Sequence, residues 1–131
     1  MNIGAASKVS GVSAKMIRYY EEIGLLPAAK RSGNGYRVYT EADVHTLGFI
    51  RRARTLGFSM AQIERLVGLW RDKSRASAEV KAIAEAHVAE LEAKAAELQA
   101  MARTLSHLAH CCQGDARPEC PILEDLAGAA E

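Results

Sequence analysis

The stretch Met16-Ile-Arg-Tyr-Tyr-Glu-Glu-Ile-Gly-Leu-Leu-Pro27, with Arg31-Ser-Gly-Asn-Gly-Tyr-Arg-Val-Tyr39 shortly after it, decides the fold. Ser13 is a side-chain acceptor placed to cap a helix running through Lys15, Arg18, Tyr19 and Glu22 to about Gly24. Upstream, Ile3, Ala6 and Val9 share one face of a shorter helix, which Gly11 ends. Two helices parted by a glycine-containing turn read as a helix-turn-helix. Pro27 breaks the helical pattern. Asn34-Gly35 then supplies the positive backbone angles of a tight hairpin, and the next four residues alternate as a strand does.

Further along, Thr40 with Asp43 and Ser59 with Gln62 are capping boxes that open two more helices. Val44, Leu47 and Ile50 turn inward from the first of these; Ile63, Leu66, Val67 and Trp70 form the stripe of the second. Residues 1–71 thus read as a winged helix-turn-helix domain, and the polar residues 72–76 as a hinge. From Ser77 to about His110 there is neither Gly nor Pro, and Ala84, Leu91, Leu98 and Leu105 recur every seven residues. Val80, Met101 and Leu108 fill the companion seam position, which His87 and Lys94 interrupt. Such a helix is roughly 50 Å long. The chain has too few other apolar residues to cover its stripe, so a homodimeric coiled coil over residues 77–111 is expected. Residues 112–131 read as a loop followed by a short helix from Pro121 to about Leu126. The fold class is mainly α: a winged helix-turn-helix DNA-binding domain, a long coiled-coil dimerisation helix and a C-terminal metal-binding loop.

With 131 residues, the chain can build one modest core and an appendage. Its net charge of +1 conceals a division. Residues 1–75 hold 13 Lys and Arg against 6 Asp and Glu, whereas residues 76–131 hold 4 against 10. A basic half of this kind suits a polyanion. Nothing resembles a targeting signal or a membrane span, so a cytoplasmic location is expected, with Cys111, Cys112 and Cys120 as thiols. No carboxylate pair or nucleophile–base arrangement stands out, and the chain does not read as an enzyme.

Lys15 and Arg18, three apart, project from one face of the second helix and can meet phosphates or base edges in a major groove. Tyr20 can add a hydroxyl donor to a phosphate. The hairpin presents Arg31, Asn34, Tyr36 and Arg37, a basic wing suited to the neighbouring backbone. Arg54 extends this footprint, while Arg51 and Arg52 read as a solvated helix face and Tyr19 and Tyr39 as core.

The two quoted segments closely resemble the mercury-resistance-regulator (MerR) family, and the order of elements agrees over the whole chain. The resemblance implies an antiparallel coiled-coil dimer on double-stranded promoter DNA. It implies too that effector binding makes the dimer distort that DNA, realigning the promoter elements for RNA polymerase.

Cys112 and Cys120 flank a loop of seven residues. Thiolates are soft ligands that select Cu(I), Zn(II) and similar ions. So short a loop closes at little entropic cost, Gly114 lets the chain leave the helix, and Pro121 suits a first helical position. Cys120 then stands at or beside the N-cap, where free amides lower its pKa. Two sulfurs suit a monovalent ion in linear coordination, whereas tetrahedral zinc takes four protein ligands, or three with an open position. Copper-responsive members of the family resemble this chain in the Cys-x7-Cys loop and in a serine heading the long helix, here Ser77. That resemblance implies Cu(I), with Ag(I) or Au(I) as alternatives, and places Ser77 of the partner subunit near the site.

Cys111 leaves three readings open: a substitute for Cys112, a third sulfur, or a side chain directed elsewhere. Coordination and the family pattern favour Cys112. His107 and His110 lie close by and define the alternative of a zinc, cadmium or lead sensor. A cytosolic metal-storage protein is a further alternative. An iron–sulfur sensor needs four clustered cysteines, and the chain has three.

Overall fold

The computed structural model describes residues 1–33, 35–112, 114–116 and 118–128; Asn34, expected among the DNA contacts, lies outside the described residues. Helices α1 (Ile3–Ser10) and α2 (Ala14–Glu22) come first, then a hairpin of β1 (Lys30–Arg31) and β2 (Arg37–Val38). Helices α3 (Glu41–Thr55), α4 (Met60–Arg71), α5 (Ser77–Cys111) and α6 (Pro121–Leu126) follow. The chain divides into two compact units, Met1–Lys81 and Ala82–Glu131.

Local chemistry fixes the helix starts in the first unit. Asn2 Oδ1 accepts from the Ala5 amide at 2.8 Å, and Ser13 Oγ from the Met16 amide at 3.2 Å. Both expected capping boxes form reciprocally, Thr40 with Asp43 and Ser59 with Gln62. Each satisfies two amides that a helix start leaves without partners. Gly11 ends α1 at φ +75°, where a Cβ would also lie 3.0 Å from the Arg51 guanidinium carbon. A side chain there would meet both backbone strain and a close contact.

Helix α1 packs on α2 and α3, and α3 packs on α4. Ile17, Tyr20, Leu47, Ile50 and Ile63 fill the core between them. The inward face of α1 carries Ile3, Ala6 and the buried Ser10, not the expected Val9, which is exposed. The tyrosine pair is likewise exchanged: Tyr19, expected in the core, is 40% exposed, and Tyr20 only 1%. Neighbouring helix positions differ by about 100° in direction, so a small rotation of α2 decides which one enters the core. Tyr39 is buried, as expected.

The hairpin is shorter than the alternation suggests. Its antiparallel register pairs Lys30 with Val38 and Arg31 with Arg37. Arg71 Nη2 donates to the Leu25 carbonyl at 2.8 Å and so ties the end of α4 to the segment before the wing. Trp70 stacks on Phe49 with centroids 4.4 Å apart. After α4, the Asp72 carboxylate accepts from the Ser74 amide at 2.9 Å and from its hydroxyl at 2.7 Å. Those bonds hold the Asp72 carboxyl below its ordinary value.

In the second unit, α5 buries Ile83 and His87 but leaves Val88, Leu91, Leu98, Met101 and Leu105 exposed. No helix among the described residues is long and apolar enough to cross a membrane.

Candidate nucleic-acid and metal sites

Because Ile17 and Tyr20 turn into the core, α2 presents Lys15 and Arg18 on its exposed face. A groove of about 360 Å³ is lined by Arg18 together with Arg31, Gly35, Tyr36 and Arg37. Helix and wing therefore offer one continuous cationic surface, the electrostatic footprint of a nucleic-acid interface.

The wing is braced from within. Arg31 Nη1 donates to the Gly35 carbonyl at 2.8 Å. Tyr39, next to β2, donates its hydroxyl to Glu21 of α2. Burial raises the Tyr39 pKa, and the Glu21 carboxylate raises it further, against an opposing pull from Arg37. The phenol thus stays a neutral donor tying wing to helix. Arg37 Nη1 is buried and has no hydrogen-bond partner among the described residues.

Tyr20 does not reach outward as a phosphate donor. It is buried, and its hydroxyl accepts from Arg54 Nη1 at 3.0 Å, which fixes the position of that guanidinium. Arg51 is exposed, as read. It lines a cleft of about 370 Å³ with Arg54, Ser13 and Gly11, beside the N-terminus of α2. Arg52 is exposed, as read.

The second site lies beyond the end of α5. Cys112 directly follows the helix, and Cys120 is the N-cap of α6, with Pro121 at its start. Gly114 takes φ +69° in the intervening loop. The two sulfurs stand 4.0 Å apart as free thiols, both half-buried. A disulfide needs about 2.05 Å. Two metal–thiolate bonds of about 2.3 Å span up to about 4.6 Å, so one ion can join both sulfurs without a large movement.

The Cys120 side chain makes no close capping hydrogen bond. Even so, the Leu123 amide lowers its thiol pKa, helped by Ile122 and Cys112, against partial burial and Glu124. Cys111 closes α5, exposed, with Sγ 3.8 Å from His107 Nε2 one turn back. Among the described residues no group of three or more His, Cys, Asp or Glu side chains is placed to hold an ion. Ser77 heads α5 and is exposed.

Fold and cationic surface together define a winged helix-turn-helix DNA-binding protein. Comparison with known proteins gives the family. The profile of the MerR HTH family regulatory protein matches residues 1–68, and that of the MerR DNA-binding region matches residues 44–108. Heavy metal-dependent transcription regulator 1 of Rhizobium meliloti is 62% identical over 100% of this chain and 90% of its own length. The HTH-type transcriptional regulator CueR of Escherichia coli is 44% identical over 98% of this chain and 95% of its own. Among solved structures, the regulator PbrR691 of Ralstonia metallidurans with lead(II) superposes with a TM-score of 0.83 at 35% identity, covering 96% and 98% of the two chains. The chain belongs to the MerR family of transcriptional regulators, a family of DNA-binding proteins and not of enzymes.

Proposed function

We infer that this chain is a heavy-metal-responsive activator whose effector is Cu(I), with Ag(I) and Au(I) as ions of the same chemistry. It binds promoter DNA as a homodimer in the cytoplasm, distorts that DNA when the ion is bound, and so lets RNA polymerase start copper efflux or detoxification genes. The observation that carries the reading is the pair Cys112 and Cys120, 4.0 Å apart, with no further donor cluster among the described residues. Two soft anionic sulfurs match a soft monovalent ion; a tightly held divalent ion asks for three or four protein ligands. The lowered Cys120 thiol pKa favours binding as the thiolate.

On the DNA side, Lys15, Arg18, Arg31, Tyr36, Arg37 and Arg54 carry the contacts, with Asn34 from the hairpin. In the dimer, Ser77 of α5 meets the partner's cysteine loop. A serine there gives no strong soft ligand, which keeps the donor set at two. Domain limits at 71, 76 and 111 follow from this division of labour, with residues 72–76 acting as the hinge.

Reporter transcription tests the reading. Cys112→Ser or Cys120→Ser should abolish induction by copper while leaving promoter binding intact. Normal induction in the double variant would refute it. A second reading, a zinc, cadmium or lead sensor, draws support from the likeness to a lead(II)-bound relative and from His107 close to Cys111. Anaerobic competition with bathocuproine, set against zinc titration, separates the two. Zinc binding far tighter than Cu(I) binding would favour the second.

A further inference from the structure

The copper reading leaves Cys111 without a task. It is exposed on the last turn of α5, and its Sγ lies 3.8 Å from His107 Nε2, four residues earlier on the same face. Zinc–sulfur bonds of about 2.3 Å and zinc–nitrogen bonds of about 2.0–2.1 Å let one ion join atoms up to about 4.4 Å apart. The pair is thus already spaced as a chelate. Neither residue lies on the apolar seam: Leu105 and Leu108 occupy it, while His107 and Cys111 stand two and six residues after Leu105. Both residues are exposed.

We propose that His107 and Cys111 form a second metal site, separate from the sensing thiols, for a divalent ion of the zinc class. An imidazole with a thiolate is a borderline donor set that suits zinc, whereas the purely sulfur pair suits a monovalent ion. Two protein ligands leave positions for water, so the site binds weakly and exchanges readily. Adjacent in sequence, Cys111 and Cys112 thereby serve different ions: one thiol rides on the helix and the other belongs to the loop. This proposal does not rest on the copper reading.

The test uses the reduced full chain with Cys112→Ser and Cys120→Ser, so that Cys111 is the remaining thiol. Cobalt(II) serves as the spectroscopic probe and zinc as its competitor. A thiolate-to-cobalt charge-transfer band should appear at one cobalt per chain and disappear as zinc is added. Adding His107→Ala should weaken binding by at least about tenfold, since even indirect partners of metal ligands matter by that much. Alanine on an exposed helix face preserves the helix, which circular dichroism verifies. No band, or a band indifferent to His107→Ala, overturns the proposal. In the wild-type chain preloaded with one Cu(I), zinc should still bind at one per chain. Loss of that zinc binding would assign the Cys111 sulfur to copper and overturn the separate site. If copper fails to bind while zinc binding persists, the second site stands and the copper reading alone falls.

Discussion

In the first unit Ile17, Leu47, Ile50 and Ile63 are completely enclosed, whereas on α5 Leu98, Met101 and Leu105 remain 63%, 58% and 52% exposed. Both regions carry apolar residues at helical spacing. Residues 1–81 hide theirs within one chain through four short helices and caps that satisfy the helix ends. On α5 only Ile83 and His87 are buried among the described residues. The contrast is between a DNA-binding half whose core closes within one chain and a helix whose apolar stripe stays exposed, as the proposed dimer requires.

Breaking the seam should produce the largest effect. Leu98→Glu with Leu105→Glu places charges on the exposed stripe and should yield monomers by sedimentation velocity. Promoter affinity should fall by about 10²–10⁴, because two linked half-site contacts become one. The first unit should melt as before. Next comes Leu47→Ala, which empties part of the enclosed core and should cost about 2–5 kcal/mol in denaturant unfolding of that unit. The first variant spares the fold of the DNA-binding unit, and the second spares the seam.

Smaller effects separate surface from core within α2. Arg18→Ala should weaken promoter binding by about 1–3 kcal/mol in a fluorescence anisotropy titration, with little change in melting. Tyr20→Phe should do the reverse. It removes the acceptor of the Arg54 hydrogen bond and should cost about 1 kcal/mol of stability, with a lesser change in DNA affinity. Equal effects of the two on DNA binding would restore Tyr20 as a direct contact.

Local signals explain why so much of this fold was legible. Ser13, Thr40–Asp43 and Ser59–Gln62 act within a single helical turn, and each forms as its sequence requires. The long helix was equally plain, since nothing between Ser77 and Cys111 interrupts it. What failed was rotation. Val9 against Ser10, and Tyr19 against Tyr20, are neighbours whose inward or outward direction depends on how α1 and α2 dock on α3. The Arg54–Tyr20 bond joins residues 34 apart in sequence, a pairing that no local pattern contains. In the C-terminal loop, spacing announced two cysteines, but the approach of Cys111 to His107 depends on where the helix ends. Helix α5 includes Cys111 and stops before Cys112, and that one-residue boundary divides the two sulfurs.

X-ray absorption at the copper edge, on the reduced wild-type chain carrying one Cu(I), addresses the sensing chemistry most directly. The expected spectrum has two sulfur neighbours and no nitrogen or oxygen at bonding distance, and Cys120→Ser removes that signature. A copper ion bound by imidazole, by three ligands, or with an unchanged spectrum in Cys120→Ser would contradict the account.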